Sequence, residues 1–473
     1  MVARSFGRRR FLAGFGAAVL LAACAAPTPT PTPTPAPKPA QPAPTPTPAP
    51  AAKPAQPTAT PTPAPAKPAQ PTPTTPAKAA TGKLEIFSWW TNPGEQEALF
   101  ALYDIYRKRY PGVEIINATV AGGAGVNAKQ VLKTRMLGGD PPDSFQVHAG
   151  MELNDTWVKA GKMEPLSWLY KDEGWDKVFP KGLLDILNYK GEYYSVPVNV
   201  HHGNVLWGNK KVLEQVGVTK LPETFDEFFQ VAEKLKAKNI PALALGDKDK
   251  WEAAHLFEDV LLGTVGPQMY RDLFAGKAKF DDPKVTQALE TMKRMLDYVN
   301  ADHAALDWAG AAQILVDGKA AMMIMGDWAE GFFLAKGWKP GEHFLYAPSP
   351  NTKGAFMTVI DTFGLPKGAK NRENAINWLR VVGSKEGQEA FNPKKGSICA
   401  RTDCDPKIFD TYLQWSAQDY AKAELTPSLA HGSAAPEAVA SAWNDIMNIF
   451  VTDRDVAKAQ KALIDAAKDL GSA

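Results

Sequence analysis

The sequence predicts an α/β protein of two lobes, and three observations support this expectation. Segments with strand character alternate along the chain with segments of helical periodicity. Clusters of Gly, Pro and Asp separate them, as expected of the turns that join strands to helices. Residues 83–473 are 391 in number, more than a single hydrophobic core usually holds. Alternation of this kind is typical of sheets with parallel strands.

The first elements follow this pattern closely. Leu84–Phe87 has the composition of a strand, and after a turn the apolar residues between Leu99 and Tyr106 recur at helical spacing. Tyr110–Gly112 contains the Pro-Gly pair that ends this helix. Val113–Ile116 then predicts a second strand.

Later segments continue the alternation. The turn cluster Gly138–Asp143 leads into a third predicted strand at Ser144–His148. Thr224–Glu227 has the pattern of a capping box and opens a helix that extends through Leu235. Residues 434–470 have a helical pattern with Ala-rich faces. The folded part contains no internal repeat.

The N-terminus has the features of an export signal. The basic segment Gly7–Leu12 resembles a twin-arginine motif, and the apolar run Phe11–Ala23 is too short at 13 residues to span a membrane. Leu21–Cys24 resembles a bacterial lipobox, after which Cys24 would be acylated. We therefore expect residues 1–23 to be a signal peptide. An ordinary signal with an incidental cysteine is the alternative.

Residues 24–82 are predicted to be a disordered tether. They consist almost entirely of Pro, Thr, Ala, Gln and Lys, with too little apolar surface to form a core. Residues 1–82 also hold 8 of the chain's 53 basic residues and none of its 51 acidic ones, so residues 83–473 carry a formal net charge of −6. This balance gives no reason to expect nucleic-acid binding.

Two cysteines remain in the folded part. In an exported protein, Cys399 and Cys404 can form a small disulfide, although two free thiols remain the alternative. Their spacing is not Cys-x-x-Cys, which argues against redox catalysis.

Motifs for catalysis or for binding metals and cofactors are missing. The seven histidines form no zinc spacing, and there is no phosphate-binding glycine loop and no Gly-x-Ser-x-Gly elbow. We therefore expect no catalytic residue, no metal and no cofactor. Two alternatives stay open at this point, namely dispersed histidines that converge on a metal in the fold and a glycosidase pair among the carboxylates.

Tryptophans beside polar residues are the most informative feature. All 13 tryptophans lie within residues 83–473, and Trp89 and Trp90 follow the first predicted strand, where ligands bind in open α/β sheets. Successive side chains point to opposite faces, so one ring can pack in the core while the other faces a cleft. A sugar offers an apolar face for such rings and hydroxyls for carboxylate, imidazole, amide and ammonium groups. Core packing is the alternative for each ring.

Longer motifs resemble a known family. Asn204–Val218, Pro222–Phe228, Gly318–Trp328 and Gly364–Lys367 are similar to segments of the family 1 extracellular solute-binding proteins of sugar-importing ABC transporters. The similarity extends over residues 83–473. Three further motifs look most like the glucose/galactose-binding proteins of thermophilic bacteria, namely Lys83–Trp90, Ser144–Met151 and Asn392–Ile398.

The resemblance implies a two-lobe periplasmic-binding-protein-like fold of type II, with a hinge and a cleft between the lobes. Lobe 1 would comprise residues 83–198 and 357–410, and lobe 2 residues 199–356 and 411–473. The chain would cross between lobes near Val196–Val200 and near Met357–Asp361.

The resemblance and the tryptophan pattern together predict one set of ligand-binding residues. The set is Trp89, Trp90, Glu95, Gln146, His148, His201, Trp251, Trp308, Trp328, Asp361, Lys395 and His431. The turn that precedes Glu95 is a residue longer than the family pattern, so this chain departs from the family there.

These expectations combine into one function. The chain would be a non-enzymatic extracytoplasmic receptor, held at the outer face of the cytoplasmic membrane by a lipid on Cys24. It would capture a monosaccharide, glucose or galactose, and deliver it to the permease subunits of an ABC importer. The alternatives are an oligosaccharide-binding protein, a sugar sensor of the same fold, and a glycosidase.

Overall fold

The computed structural model describes residues 80–122 and 125–470, apart from the side chain of Asp469. The predicted signal peptide, Cys24 and residues 24–79 of the predicted tether lie outside the described residues. The first strand begins at Gly82, one residue before the predicted start of lobe 1.

Thirteen strands and seventeen helices are formed by the described residues. The strands are β1 (Gly82–Phe87), β2 (Val113–Asn117), β3 (Ser144–His148), β4 (Asn188–Tyr189), β5 (Glu192–Tyr193), β6 (Ser195–Pro197), β7 (His201–His202), β8 (Val205–Asn209), β9 (Met322–Ile324), β10 (Phe344–Pro348), β11 (Ala355–Val359), β12 (Asp361–Gly364) and β13 (Glu424–Pro427). The helices are α1 (Glu95–Arg109), α2 (Val126–Leu137), α3 (Met151–Leu153), α4 (Ser167–Asp172), α5 (Lys181–Leu187), α6 (Lys210–Glu214), α7 (Phe225–Lys236), α8 (Trp251–Val265), α9 (Pro267–Phe274), α10 (Pro283–Met295), α11 (Trp308–Val316), α12 (Trp328–Ala335), α13 (Arg372–Gly383), α14 (Lys385–Lys395), α15 (Thr411–Tyr420), α16 (Glu437–Asp453) and α17 (Val456–Ala466).

The largest sheet has five strands in the order β2-β1-β3-β12-β6. Strand β1 is parallel to β2 and β3, as the alternation of strands and helices predicts. Strand β12 is antiparallel to β3 and β6, so the sheet is mixed and the expectation of parallel strands is only partly correct. The physical reason is that β12 enters the sheet directly from β11, without the helical crossover that makes neighbouring strands parallel.

Two sheets of three strands form the second part of the fold. One has the order β10-β8-β9 with antiparallel neighbours, and the other has the order β13-β11-β7. The chain leaves the five-stranded sheet after β6, enters a three-stranded sheet at β7, and returns at Ile360 between β11 and β12. A hydrogen bond from the N–H of Val198 to the carbonyl oxygen of Asp361 joins the two crossing segments, and one from Val200 to Ile398 joins the first crossing to the segment after α14. These changes of sheet fall within the two predicted crossings, and the residue limits of the lobes stay a prediction.

The predicted helices are present with their capping interactions. Thr224 and Glu227 form the capping box of α7, each side chain accepting a hydrogen bond from the backbone N–H of the other. The C-terminal helical pattern is divided into α16 and α17 because Arg454 between them has a left-handed backbone conformation.

Buried aromatic residues connect the helices to the sheets. Trp378 of α13 lies with its ring centroid 5.5 Å from Tyr103 of α1 and 5.2 Å from Phe363 of β12. In the second part of the fold, Trp443 of α16 packs against Phe257 of α8 at 5.7 Å. The hydrophobic residues thus form two large clusters. Within residues 80–122 and 125–470, no helix combines the length and hydrophobicity that crossing a bilayer requires.

Cys399 and Cys404 are joined by a disulfide with a Cα–Cα distance of 6.6 Å. The bond closes a loop that lies between α14 and α15. Lys395, the last residue of α14, is therefore only four residues from a covalently constrained segment.

Three backbone segments meet without intervening side chains beside α12. A Cβ atom on Gly331 of α12 would lie 2.6 Å from the carbonyl oxygen of Lys395, and one on Gly94 would lie 2.5 Å from the carbonyl carbon of Gly331. A Cβ atom on Gly396, which follows α14, would lie 2.5 Å from the backbone nitrogen of Gly331. The approach of α1, α12 and α14 therefore requires glycine at these positions.

We predict that Gly331→Ala lowers the free energy of unfolding by about 1–3 kcal/mol, because the added methyl group would clash with backbone rather than with a movable side chain. Urea unfolding followed by circular dichroism would measure the change. Gly182→Ala is the matched control, because it lies inside α5 with no atom closer than 3.6 Å to the added carbon. The control should be neutral or stabilising by up to about 1 kcal/mol. Equal effects of the two changes would contradict the close approach.

Candidate ligand-binding site

A cavity lined by buried residues lies at the edge of the five-stranded sheet where β1 and β3 end and β12 begins. The residues that line it are Trp89, Trp90, Glu95, His148, His201, Trp251, Trp308, Trp328, Val359, Asp361, Lys395 and His431. The structure thus brings together eleven of the twelve residues predicted from the sequence, and adds Val359.

Trp89 and Trp90 both line the cavity, so the two rings do not divide between cleft and core. Trp90 packs against Phe391 with ring centroids 5.0 Å apart. Trp89 lies 5.1 Å from the ring of His148, and the ammonium group of Lys129 lies 5.7 Å from its centroid. Because the chain leaves the regular strand after Phe87, the alternation of side chains that applies within a strand no longer separates the two rings.

Asp361 is the carboxylate at the centre of the site. It is the first residue of β12 and pairs with His148 across the sheet. Its Oδ1 accepts a hydrogen bond of 2.9 Å from the amide of Gln146, and its Oδ2 accepts one of 2.9 Å from the amide of Asn199. The Nε2 atom of His201 lies 3.1 Å from Oδ2.

Gln146 differs from the other predicted ligand residues because it does not line the cavity. Its amide nitrogen donates to Asp361, and its oxygen accepts from the hydroxyl of Ser88 at 2.7 Å and from the backbone N–H of Trp89 at 3.2 Å. Both polar ends are therefore used within the protein. Gln146 holds Asp361 and the segment after β1 in place from behind.

His201 lies between two carboxylates. Its Nδ1 is hydrogen-bonded to Oδ1 of Asp327, and its Nε2 faces Asp361. The second oxygen of Asp327 accepts the backbone N–H of His202 at 3.0 Å. Asp327 precedes α12 and Trp328, so it links the ring of His201 to the start of the helix that carries a cavity tryptophan.

Lys395 and Glu95 form a buried ion pair at one side of the cavity. The Nζ atom of Lys395 lies 3.2 Å from Oε1 of Glu95, and both side chains are less than a tenth exposed. The same ammonium group lies 5.7 Å from the ring of Trp90 and 5.9 Å from that of Trp328. Glu95 is the first residue of α1, where a carboxylate interacts favourably with the helix dipole.

Rings from α8, α11 and α12 form the opposite wall. The ring of His431 lies 4.9 Å from Trp328 and 5.3 Å from Trp251. The indole N–H groups of Trp251 and Trp328 are buried and have no acceptor among the residues that the structure describes. A buried donor without an acceptor is costly, so these two groups are available to the oxygen atoms of a ligand.

Asp361, His201 and Glu95 in the cavity have shifted pKa values. Burial raises the pKa of Asp361, but the hydrogen bond and charge of His201, then Lys395 and His148, outweigh burial and hold it well below its usual range. Burial lowers the pKa of His201, yet Asp327 more than compensates and the result is a raised value. Burial raises the pKa of Glu95 by more than Lys395 lowers it. The site thus combines an ionised carboxylate, a cation and a neutral aromatic wall.

Comparison with known proteins identifies the family. Residues 80–389 match the family model of the bacterial extracellular solute-binding proteins.

The chain belongs to this family. The family membership confirms the resemblance found in the sequence. It also confirms the expectation of a binding protein rather than an enzyme, because members of the family bind solutes.

Relatives and a solved structure agree with this identification. The solute-binding protein is 41% identical over 389 residues to an uncharacterized ABC transporter extracellular-binding protein of Pyrococcus horikoshii, which covers 82% of this chain and 87% of the relative. It is 35% identical over 397 residues to a probable sugar-binding periplasmic protein of Mesorhizobium japonicum, covering 81% and 94% of the two chains. The structure of the bacterial solute receptor AcbH, whose reported preference is for β-D-galactopyranose, superposes with a TM-score of 0.72 at 20% identity and covers 82% and 99%. The two-lobe type II fold is therefore confirmed.

Several side chains that hold residues of the candidate site are not among those predicted from the sequence. Asn199 and Asp327 hold Asp361 and His201, and Glu152 holds His148 through a 2.8 Å hydrogen bond to Nδ1. Asp327 lies in the family-like segment Gly318–Trp328, directly before a predicted site tryptophan, and this position was the available signal. The local signal for Glu152 was its position four residues after His148, whereas its other partner, Lys129 of α2, is 23 residues away in the sequence.

One group of side chains resembles a metal site. Among the described residues, His255, Glu258 and His431 bring possible ligand atoms within 4.8 Å of one another. The hydroxyl of Ser428 lies between two of them, 2.7 Å from Glu258 and 2.9 Å from His431. Nδ1 of His431 and Nδ1 of His255 already face hydrogen-bond partners, whereas Nε2 of His255 is buried without one among the described residues.

We predict that Glu152 makes the stability of the solute-binding protein depend on acid pH. Burial raises the pKa of Glu152, but Lys129 and His148 outweigh it and lower the pKa to about 2 from an ordinary value of 4.5. Because its pKa is depressed in the fold, ionised Glu152 contributes about 3 kcal/mol to the free energy of unfolding above pH 4.5. This contribution is lost as the pH falls toward 2. Glu152→Gln should therefore reduce the slope of unfolding free energy against pH, between pH 4.5 and 3, by about 1 kcal/mol per pH unit.

Urea unfolding at a series of pH values would measure this slope. Glu114→Gln is the matched control, because Glu114 lies on β2 with 66% of its side chain exposed and forms only a 3.6 Å ion pair with Lys83. The control should keep the slope of the unaltered protein. A slope that is the same in Glu152→Gln would show that this carboxylate does not have a depressed pKa.

Proposed function

We propose that the solute-binding protein captures one hexose, glucose or galactose, and delivers it to an ABC importer. The observation that carries this proposal is the cavity in which five tryptophan rings surround a carboxylate and an ammonium group. A sugar ring has an apolar face that packs on indole rings and hydroxyls that both donate and accept. The relative from Mesorhizobium japonicum, at 35% identity, is named as a probable sugar-binding protein.

The polar groups of the cavity fit the hydroxyls of a sugar. Asp361 can accept from hydroxyls, Lys395 can donate to them, and the indole N–H groups of Trp251 and Trp328 need acceptors. Hydrogen bonds to charged groups are the stronger kind. A ligand without hydroxyls would leave these buried polar groups without hydrogen-bond partners. This cost is the physical basis for rejecting such a ligand.

The closed side of the cavity favours a single sugar ring. Glu95 and Lys395 close one side of it with a buried ion pair. An oligosaccharide-binding protein of the same fold would need this side to open.

The lining residues come from both parts of the fold. Trp89, Trp90 and His148 belong to the five-stranded sheet and its connections, whereas Trp251 and Trp328 begin helices of the second part. A ligand held by both sets would bind the closed arrangement better than an open one and shift the hinge equilibrium by that difference. The closed form would then be the one that the permease receives.

We predict that glucose or galactose changes the tryptophan fluorescence of the purified full chain in a saturable titration. Asp361→Asn should weaken binding by about tenfold to 100-fold, because a charged acceptor becomes a neutral amide. Asp185→Asn is the matched control, since Asp185 is 62% exposed on α5 and pairs only with Lys181. Circular dichroism would show whether each variant is folded.

The other ligands in the titration decide between the alternatives. Mannose and xylose test the choice of monosaccharide, maltose and trehalose test an oligosaccharide site, and zinc tests a metal site. A response to a disaccharide alone would leave the fold assignment unchanged and contradict the single-ring assignment. Hydrolysis of a disaccharide during the titration would favour a glycosidase, and the absence of any sugar response would contradict the proposed function.

We also propose that Cys24 carries a lipid that anchors the solute-binding protein at the outer face of the cytoplasmic membrane. The support is the basic and apolar N-terminus that ends in Leu21–Cys24, together with membership of an extracellular family. Two acyl chains are enough for stable anchoring, whereas one gives only weak binding.

We predict that Cys24→Ala moves the full chain from the membrane fraction to the soluble fraction when it is expressed in a bacterium with lipoprotein processing. Cell fractionation and immunoblotting would measure the distribution. Cys404→Ala serves as the control for loss of a cysteine and should leave the chain in the membrane fraction. Equal membrane association of the Cys24 variant would contradict lipid anchoring at this residue.

A further inference from the structure

His431 is joined to a buried carboxylate by a short chain of hydrogen bonds. Its Nδ1 lies 2.9 Å from the hydroxyl oxygen of Ser428, and that oxygen lies 2.7 Å from Oε1 of Glu258. All three side chains are buried, with at most 7% of the residue exposed. Only His431 lines the cavity, so Glu258 can act on a ligand only through the other two.

Glu258 accepts hydrogen bonds from every polar group that faces it. Its Oε2 accepts the backbone N–H groups of Leu429 at 2.7 Å and Ala430 at 3.2 Å, and the hydroxyl of Tyr270 at 3.2 Å. Its Oε1 accepts from Ser428 and faces Nδ1 of His255 at 3.2 Å. Both oxygens of Glu258 are therefore occupied as hydrogen-bond acceptors, Oε2 by backbone N–H groups that can only donate and Oε1 by Ser428.

The direction of the chain follows from the single hydrogen of a hydroxyl. Since Glu258 can only accept, the hydrogen of the Ser428 hydroxyl points to Oε1. The backbone N–H of His431 also donates to the same hydroxyl oxygen, at 3.2 Å. The hydroxyl oxygen can therefore only accept from Nδ1 of His431, and the ring proton must be on Nδ1.

The neutral state of His431 leaves its other nitrogen with a lone pair. Burial and the charges of His255, His148 and Lys129 hold the pKa of His431 well below its usual range, so the ring carries one proton. With that proton on Nδ1, Nε2 is an acceptor.

We propose that Glu258 is a positioning residue that fixes, through Ser428, the tautomer in which Nε2 of His431 accepts a hydrogen bond from one hydroxyl of the bound sugar. The nature of the ligand rests on the proposed function, whereas the tautomer is a property of the ligand-free chain. His431 would then recognise a group that donates, which complements the donors supplied by Lys395 and the tryptophans.

Glu258→Gln tests the direction of the chain because an amide can donate where a carboxylate cannot. The backbone N–H groups of Leu429 and Ala430 would keep the amide oxygen at the Oε2 position, which places the NH₂ group beside Ser428. Ser428 would then accept from glutamine and turn its own hydrogen toward His431. The ring proton of His431 should therefore move from Nδ1 to Nε2.

The measurement is nitrogen-15 NMR of the ligand-free full chain labelled at histidine, with the His431 signals assigned from a His431→Asn variant. We expect a protonated Nδ1 in the unaltered chain and a protonated Nε2 in Glu258→Gln. Tyr270→Phe is the matched control, because it removes a donor to the other oxygen of Glu258 and should keep Nδ1 protonated. Ser428→Ala removes the acceptor of Nδ1–H, so the tautomer should no longer be uniquely Nδ1–H, and it tests the chain should Glu258→Gln not fold.

Sugar binding supplies the second readout. In the unaltered chain, the deoxyfluoro derivative of glucose or galactose that lacks the hydroxyl facing His431 should bind at least about tenfold more weakly, because fluorine cannot donate. In Glu258→Gln, this penalty should fall below about threefold, because Nε2–H can donate to fluorine. A merely structural role of Glu258 would weaken all the derivatives equally.

Each outcome either supports or overturns the proposal. A protonated Nε2 in the unaltered chain, or the same tautomer in Glu258→Gln, would overturn it. A change in the nitrogen-15 shifts of both His255 and His431 on addition of stoichiometric zinc would also overturn it and assign a metal to the three side chains. The expected tautomers without any sugar binding would support the chain of hydrogen bonds and contradict the proposed ligand.

Discussion

The structure around the cavity depends on keeping one buried carboxylate ionised. Removing an ionised group from water is costly unless its lone pairs are satisfied by hydrogen bonds and opposite charge. Asp361 meets this condition through Gln146 on β3, Asn199 in the crossing segment and His201 on β7. These partners come from separate segments, so the five-stranded sheet and both crossings must be in register before the charge is stabilised. The site and the fold are therefore stabilised by the same interactions.

Much of the site could be predicted because its chemistry is marked locally. Trp89 and Trp90 stand at the end of the first strand, and Asp361 lies at the predicted return crossing, which the structure places at the change of sheet. The capping box at Thr224–Glu227 was predicted for the same reason, since the pattern lies within four residues. Matching to family motifs supplied Lys395 and His431, whose positions composition alone did not indicate.

What could not be predicted depends on contacts between distant segments. Glutamine is a residue type that can bind a sugar. Only the tertiary structure shows that both polar ends of the Gln146 amide contact the protein instead. The antiparallel direction of β12 depends on the path of the chain between sheets rather than on any residue within the strand. Glu258 was overlooked because its role arises from the loop at Ser428, 170 residues away in the sequence.

The meeting of Gly94, Gly331 and Gly396 has a consequence for how such a sequence can diverge. Each glycine is opposed to backbone of another segment, so a larger residue at one of them cannot be accommodated by changing a neighbouring side chain. Divergence here would require α1, α12 and α14 to separate, and α1 and α14 carry Glu95 and Lys395 at their ends. Evolutionary freedom in ligand preference is therefore restricted by three residues that have no side chain to offer a ligand.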